Sequence, residues 1–523
     1  MCLLRETGEE DGLLGQGVLK MCIETADAGL DLYLPFFIYE EYMVNMVIIC
    51  GQKYFWKSTG KTDKIRPWQC QSLNGYSMRK QTDMEIRIPA PAEEIINKLN
   101  EHGYEAYVVG GCVRDMLLGR EPGDWDITTS ALPEQVKEVF RRTVDTGIQH
   151  GTVTVMMGKE GYEVTTYRID GEYSDGRHPN SVEFTPDLVE DLKRRDFTIN
   201  AMAYNSHTGF VDKFGGVEDL EKGIIRCVGE PMDRFTEDAL RILRAIRFSA
   251  QLGFSIEERT YEAIKVIAPN MVHVSKERIQ VELTKLLLSS HPDYISLVYE
   301  TGISPFVSEK FHGAYAADSG DWAVPSIPAG VPAVKHMRWA AFLRECSASQ
   351  AAGILKDLKL DNDTSYRVRT LVEWQGKKVG AEDGGKDCLK HGKEEDVKEI
   401  AKQPEPSRAS IRRAMSQMEP ELFDDLLTLK MCLSEDASDD RESRWLCQVR
   451  DLTEEIRSNR DCIGLKTLAV SGHDIMGAGV KPGREVGNTL ARLLDMVLEE
   501  PQRNTKEYLL AHLGQKQEGH GGI

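Results

Sequence analysis

The chain has 523 residues, with 84 acidic and 65 basic side chains and a formal net charge of −19 at pH 7. This length is enough for roughly two to four domains, and 41% hydrophobic with 28% charged residues excludes a fibrous or mostly disordered chain. The acidity also argues against a polybasic protein that binds nucleic acid through its net charge.

The eleven cysteines form neither a zinc-binding pattern nor a disulfide framework. They are odd in number, widely spaced and without a Cys-x-x-Cys motif, which favours a reducing compartment. No apolar run is long enough to cross a bilayer, and the N-terminus lacks the basic region and apolar core of a secretory signal. We therefore expect a cytoplasmic protein.

The first 83 residues differ from the rest, since they mix aromatic, Cys and Gly residues without sustained periodicity. They are predicted to be a poorly patterned N-terminal extension, with a small extra domain as the alternative. Regular patterns begin near Ile88 and predict a mixed α/β domain. Its predicted helices cover residues 90–102 and 113–118 and begin again at Pro133; its predicted strands cover 104–109, 124–128, 152–157 and 162–168.

Beyond Asp219 the apolar period is helical almost everywhere. Residues 312–335, rich in Gly, Ala and Pro, are predicted to form a loop, and the charged, Gly-rich residues 377–407 a linker or insertion. The predicted helices cover 235–252, 256–267 and 276–288, lie within 410–457, and end with an amphipathic helix in the tail.

A first chemical motif joins a Gly-Gly pair to two carboxylates. Gly110 and Gly111 end a predicted strand, where glycines let the backbone approach a polyphosphate closely. Asp124 and Asp126 are two residues apart on the next predicted strand and so project to one face. Two such carboxylates need a cation to neutralise them, and their hard oxygens suit Mg²⁺. This is the layout of a two-metal nucleotidyltransferase site.

Glu163 is a candidate third carboxylate, because it lies on the later strand 162–168. On a neighbouring strand it would complete the metal site and take part in catalysis. The alternative is an ordinary strand residue that faces solvent.

The second motif is the run 193–202, KRRDFTINAM. Arginines suit phosphate groups, and Asp or Asn suits hydroxyls. Arg195, Asp196 and Asn200 are therefore candidates for binding a triphosphate and its ribose. The alternative is a charged helix cap.

The third motif places Asp238, Arg241, Arg244 and Arg247 three residues apart within the predicted helix 235–252, so that neighbouring members share one surface. A one-sided ladder of arginines after an acid points to ligand binding. The alternative is a solvated helix of ion pairs.

The segments GGCVRD, DWDITTSA, RRDFTINAMAYN and EDALRILRAIRF, in this order and spacing, resemble those of the bacterial class II tRNA nucleotidyltransferases. This family comprises the CCA-adding enzymes and the related bacterial poly(A) polymerases. The resemblance is dense over 84–290 and weaker in 274–287 and 471–513.

The resemblance implies an α/β head of the polymerase-β-like nucleotidyltransferase type, followed by an all-α neck, body and tail. The implied domains are an extension (1–83), the catalytic head (84–218), a neck that binds base and RNA (219–290), a body (291–376), the linker (377–407) and a tRNA-binding tail (408–523).

It further implies template-independent addition of C, C and A to the 3′ end of tRNA, with CTP and ATP as substrates and Mg²⁺ as cofactor. No membrane, DNA or protein partner is implied. The implied roles are metal binding by Asp124 and Asp126; phosphate contact by Gly110, Gly111, Arg114 and Arg195; ribose contact by Asp196 and Asn200; base contact by Asp238 and Arg241; and support of the nucleotide by Arg244 and Arg247.

Base reading by an Asp–Arg pair also makes physical sense. Cytosine and adenine both present an amino donor beside an unprotonated ring nitrogen, which an Asp and an Arg satisfy respectively. Uracil and guanine would leave two buried polar mismatches, and rejection of this kind is strong. One pair can therefore select CTP and ATP without a template.

Alternatives remain open at this point. The chain could be a poly(A) polymerase or could add only CC or only A, although a loop near 170–190 favours full CCA addition. A catalytically inactive RNA-binding protein is a more distant alternative. Near His336 the His-Asp pair that marks a phosphohydrolase domain in some relatives is missing, so we expect no such activity.

Overall fold

The computed structural model describes residues 87–171, 182–315, 322–381 and 405–513, and the backbone of five short strands between residues 18 and 57. The chain divides into two compact units, Met1–Ser77 and Met78–Ile523. No helix in the described part of the chain is both long and apolar enough to cross a membrane.

The first unit contains strands within the region that the sequence predicts to be poorly patterned. They pair as two antiparallel sheets, β1 with β2 and β3-β4-β5 in that order. The strands are β1 (Val18–Met21), β2 (Leu32–Pro35), β3 (Phe37–Tyr39), β4 (Tyr42–Ile49) and β5 (Gln52–Lys57).

A seven-stranded mixed sheet forms the centre of the head, with strand order β14-β13-β6-β7-β10-β9-β8. Only the β7–β10 pair in this sheet is parallel. The α/β prediction for the head is confirmed. The strands are β6 (Ala106–Val109), β7 (Ile127–Thr129), β8 (Thr143–Gly147), β9 (Thr152–Met157), β10 (Glu160–Thr166), β13 (Met202–Asn205) and β14 (Gly209–Asp212).

Short strands and helices complete the head. Helix α1 begins at Ala90 just after Pro89, and its apolar face, which includes Ile95, Ile96 and Leu99, is fully buried. The remaining elements are α2 (Gly111–Leu117), α3 (Pro133–Val139), the antiparallel pair β11 (Arg168–Asp170) and β12 (Val182–Phe184), α4 (Leu188–Lys193), α5 (Gly216–Lys222), and β15 (Ile224–Ile225), which pairs in parallel with β16 (Ser255–Ile256).

The chain after the head is helical, as predicted. The helices are α6 (Pro231–Glu237), α7 (Leu240–Leu252), α8 (Glu258–Ile267), α9 (Lys276–Leu287), α10 (Ser296–Glu300), α11 (Ser304–Val307), α12 (Glu309–Gly313), α13 (Lys335–Phe342), α14 (Ala348–Asp357), α15 (Asn362–Gln375), α16 (Arg408–Met415), α17 (Pro420–Asp436), α18 (Asp440–Ser458), α19 (Gly472–Gly477), α20 (Arg484–Glu499) and α21 (Lys506–Ala511).

The predicted single helix over 235–252 is wrong, because α6 ends at Glu237 and α7 begins at Leu240. Asp238 between them has an extended backbone (φ −145°, ψ 103°), and its Oδ1 accepts the Leu240 N–H at 3.0 Å. The apolar period continues across this break, so periodicity alone does not reveal it. Asp238 therefore does not share a helical surface with Arg241.

The strand predicted over 124–128 is also corrected, since β7 begins only at Ile127. Asp124 and Asp126 precede it, and the Asp126 carbonyl accepts the Val109 N–H from the end of β6 at 3.0 Å. Three of the predicted loops and linkers fall partly outside the described residues: the loop near 170–190, of which 172–181 are not described, the loop 312–335, of which 316–321 are not described, and the linker 377–407, of which 382–404 are not described.

Candidate active site

The three candidate carboxylates lie at one end of the parallel strand pair. Val164 of β10 lies opposite Ile127 of β7, so Glu163 and Asp126 each come one residue earlier, at the same end of their strands. All three side chains are exposed to solvent. The sheet register therefore brings Glu163 near Asp124 and Asp126.

The carboxylates influence one another's ionisation. Desolvation raises the pKa of Asp126; the Arg195 guanidinium opposes this rise and the Asp124 carboxylate adds to it. The pKa of Glu163 is raised by desolvation and then by the charges of Asp126 and Asp124. Like charges held this close favour a cation among them.

The donor set fits a hard divalent cation. No three His, Cys, Asp or Glu side chains of the described residues are already gathered to enclose an ion. Asp124 and Asp126 could hold one through two carboxylates, with phosphate oxygens and water completing the coordination as Mg²⁺ prefers. Glu163 stays a candidate at the edge of this set.

The Gly-Gly turn faces the second motif. Gly110 has φ 81° and ψ −126°, a conformation that is open only to glycine. Its N–H bonds the Met202 carbonyl at 3.1 Å, and a Cβ added there would lie 3.0 Å from Arg195 Nη1. Any larger residue at 110 would therefore press on the Arg195 guanidinium.

Arg195 is held in place by a buried carboxylate. Its Nη2 lies 3.4 Å from Asp191, a fully buried carboxylate that also accepts from Arg194 Nη2 at 2.7 Å. Burial raises the pKa of Asp191, but the two guanidiniums outweigh this effect and lower it. Arg195 Nε is buried and has no hydrogen-bond partner among the described residues, so its N–H is unsatisfied in this structure.

A chain of side-chain contacts links the head to the neck. Arg114 Nη1 donates to Asn200 Oδ1 at 2.7 Å, and Asn200 Nδ2 donates to Asp196 Oδ1 at 3.1 Å. Asp196 Oδ2 in turn accepts from Arg244 Nε at 2.8 Å and Nη2 at 2.6 Å. Both oxygens of Asp196 thus have protein partners, so its predicted ribose contact would be made in addition to them.

Changing Asp196 to Asn is expected to lower the free energy of unfolding by about 2 kcal/mol at pH 7. Burial raises the pKa of Asp196, but Arg244 and Asn200 outweigh it and lower the pKa to about 2. A depressed carboxyl pKa stabilises the fold above about pH 4, and this contribution is lost as the pH falls towards 2.

Urea titrations of the Asp196→Asn variant and the unaltered protein at pH 7 and pH 3 check this expectation. The difference in the free energy of unfolding between the two proteins should be smaller at pH 3 than at pH 7. A difference in the free energy of unfolding that does not change with pH would show that the charge of Asp196 does not contribute and that only its packing does. Asp145→Asn is the control, since the Asp145–Lys137 pair is exposed.

The predicted base-reading pair lies in one turn at the start of α7, where the Arg241 N–H donates to the Asp238 carbonyl at 3.0 Å. Arg241 Nη1 lies 2.5 Å from Glu237, and its Nη2 donates to the Arg194 carbonyl at 3.3 Å. Asp238 Oδ2 accepts from Arg278 of α9 at 2.6 Å. The pair is therefore held from both the head and the neck.

Arg247 lies in the core rather than in a ligand cleft. It is 6% exposed, and its Nε donates to Glu282 of α9, which is 5% exposed. Its Nη1 donates to Gln251 at 2.7 Å. The solvated ion-pair alternative is wrong for this residue, because the pair is buried, and Arg247 supports the site by joining α7 to α9.

Glu282→Gln is expected to destabilise the protein by about 3–5 kcal/mol, because it leaves the Arg247 charge buried without an anion. Replacing both partners with Arg247→Met and Glu282→Leu should recover most of this loss. Urea titration measures both variants, and Glu262→Gln, from the exposed Lys265–Glu262 pair, is the control. An equal loss of unfolding free energy in Glu282→Gln and Glu262→Gln would contradict the stabilising role of the buried Arg247–Glu282 pair.

Sequence reasoning missed three residues that shape this site. Asp191 anchors the second motif, while Arg278 and Glu282 contact the third. Arg278 and Glu282 are four residues apart on α9 and so share a face. That spacing in the segment 274–287 was the available signal.

Two family models match the chain: the poly A polymerase head domain over residues 106–226, and the probable RNA and SrmB-binding site of polymerase A over residues 253–311. The first covers the Gly-Gly turn, the carboxylates and the second motif. The head is therefore that of a nucleotidyltransferase, similar to the head domain of poly(A) polymerases.

The CCA-adding enzyme of Geobacillus thermodenitrificans is 46% identical over 271 residues, which are 51% of this chain and 66% of that protein. The CCA-adding enzyme of Lactococcus lactis subsp. cremoris is 42% identical over 289 residues, which are 54% of this chain and 70% of that protein. The solved Bacillus stearothermophilus CCA-adding enzyme in complex with CTP is 31% identical, with a TM-score of 0.62 over 82% of this chain and 97% of that one.

The chain belongs to the CCA-adding enzyme family. It spans between 50% and 70% of the length of the curated relatives that it matches.

Proposed function

We propose that this protein adds C, C and A in turn to the 3′ end of tRNA, without a template, from CTP and ATP. The observation that carries this proposal is the convergence of three motifs, a Gly-Gly turn with paired carboxylates, a triphosphate-binding run and an Asp–Arg pair, at one site. A relative that is 31% identical and similar over most of its length is a CCA-adding enzyme in complex with CTP.

The reaction is an in-line attack of the RNA 3′-hydroxyl on the α-phosphate, with pyrophosphate as the leaving group and no covalent enzyme intermediate. Asp124 and Asp126 would hold Mg²⁺, which neutralises charge on the phosphate oxygens and the attacking oxygen when bound. Arg195 would bind the triphosphate through its guanidinium, whose Nη1 lies against Gly110, and Arg114 lies beside Gly111 of the same turn. These cations stabilise the charge that develops on the leaving pyrophosphate.

Base choice is assigned to Asp238 and Arg241. Their contacts to Arg278 and Glu237 fix both side chains in one turn, which suits a site that must reject a wrong base through unpaired polar groups. Asp196 and Asn200 would contact the ribose while holding Arg114 and Arg244 in place.

The proposed partner is tRNA, and the proposed location is the cytoplasm. All six cysteines that the structure describes are free thiols, which agrees with a reducing compartment. The helical neck, body and tail would grip the folded RNA by its shape rather than by its sequence.

Transcripts of one tRNA ending before CCA, after C and after CC test the proposal. Each is offered labelled CTP and ATP, separately and together. We expect CTP alone to complete the first two to CC, ATP alone to extend only the third, and both together to yield CCA on all three. Incorporation of UTP or GTP at a similar rate would contradict it.

The second candidate is a poly(A) polymerase, which the matched head-domain model also describes. It predicts long A tails on RNA ends regardless of the preceding nucleotides. The same transcripts separate the two activities by product length.

A further inference from the structure

One aromatic ring lies where the three motifs meet. Phe248 of α7 is 6% exposed and follows directly after Arg247. Its ring centroid lies 3.8 Å from the Cζ of Arg247, 5.1 Å from that of Arg114 and 5.4 Å from that of Arg244. All three distances are within the range of cation–π attraction.

These arginines come from different parts of the site. Arg114 follows the Gly-Gly turn in the head, whereas Arg244 and Arg247 belong to the neck helix that also carries Arg241. Phe197, next to Asp196, packs edge-on to the same ring, with centroids 5.8 Å apart and planes at 79°. The ring is thus in contact with the head motifs and with the base-reading helix.

Ion pairs alone do not hold these guanidiniums together. Each arginine has its own polar partner: Asp115 and Asn200 for Arg114, Asp196 for Arg244, and Glu282 for Arg247. The three cations repel each other, and the negative face of a buried aromatic ring offsets this repulsion where water is excluded.

We propose that Phe248 is a positioning residue that holds Arg114 and α7 in register, so that triphosphate contact and base reading occur in one geometry. This proposal rests on the proposed function, because it assigns nucleotide contact to Arg114 and to α7. Phe248 itself touches no substrate; it acts through the guanidiniums over its ring.

The property that matters is the negative potential of the ring face, and it can be changed at nearly constant shape. Fluorine atoms on the ring withdraw electron density stepwise, so phenylalanines with one to five fluorines at position 248 weaken the attraction gradually. We expect the affinity for CTP to fall at each step and to be about tenfold lower with the fully fluorinated ring. Phe248→Leu, which removes the ring, should lose at least as much.

Phe423 provides the matched control, because it is a fully buried phenylalanine of α17 in the helical part of the chain. Fluorination there changes volume and apolarity equally without affecting the site. The measured quantity is the equilibrium binding of CTP with Mg²⁺ to the full chain, together with the CTP-to-UTP preference in tRNA extension.

A graded loss of CTP affinity at 248 and none at 423 supports the proposal. Equal responses at both positions, or no response to fluorination while Phe248→Leu merely lowers stability, would overturn it. Failure of the proposed function looks different: the unaltered protein would bind CTP but not extend tRNA, and the fluorination series would still decide the role of Phe248.

Discussion

The variant Asp124→Ala/Asp126→Ala is expected to lose nucleotide incorporation by about 10³-fold or more, because it removes the groups proposed to hold charge-neutralising cations at the reacting phosphate. Both side chains are exposed and lie outside the hydrophobic core. The free energy of unfolding should therefore be unchanged, and the loss should appear in the catalysed step rather than in folding.

Single-turnover extension of a tRNA transcript by labelled CTP measures this effect. Asp145→Asn is the control, since Asp145 is an acidic residue of the same sheet that pairs with Lys137 at the surface. We expect that control to extend tRNA normally. Unchanged incorporation by the double alanine variant would show that the metal site has been placed on the wrong carboxylates.

The second large effect is expected at Asp238. An ionised Asp only accepts hydrogen bonds, whereas an Asn of the same size also donates. Asp238→Asn can therefore donate to the carbonyl of uracil where cytosine presents an amino group. We expect the preference for CTP over UTP to fall by about 10²-fold or more, because the unpaired groups that reject UTP become partly satisfied.

Competition between CTP and UTP on a transcript that ends before CCA measures this preference. Asp233→Asn, an exposed change on the preceding helix α6, should leave the preference as it is. Because Asp238 also binds Arg278, urea titration of both variants shows whether the fold is intact. A folded Asp238→Asn protein with full CTP preference would remove Asp238 from the base-reading role.

Much of the fold was predictable from local patterns. Helix α1, strand β9 and helix α9 follow the periodicity of their apolar residues closely. The break at Asp238 was not predictable in this way, because the apolar period continues across it. Asp238 owes its position partly to Arg278, forty residues later in the chain.

The sequence predicts candidate site residues but not the side chains that hold them. Residue type and order indicate phosphate chemistry at the Gly-Gly pair, the two aspartates and the three arginines. The ion pairs Arg247–Glu282, which is buried, and Arg244–Asp196, which is partly buried, join residues that are 35 and 48 positions apart. No local pattern encodes such pairs, so the burial of Arg247 against Glu282 could not be predicted from the sequence.

The net negative charge of the chain conceals a local concentration of positive charge at the candidate site. A net charge of −19 argues against general attraction to nucleic acid, yet the Arg195 guanidinium acts on Asp126, and Arg114 and Arg241 belong to the neighbouring motifs. The relevant positive charge is local. A protein of this kind is expected to bind RNA through a restricted basic surface with few phosphate contacts, and therefore with a weak dependence on salt.

The most direct test of the central claim is the length of the product that forms when a tRNA transcript ending in CC is incubated for a long time with excess ATP alone. If the site reads C and A and stops after CCA, exactly one nucleotide is added and the product stays at that length. A tail that keeps growing would contradict CCA addition and identify a poly(A) polymerase.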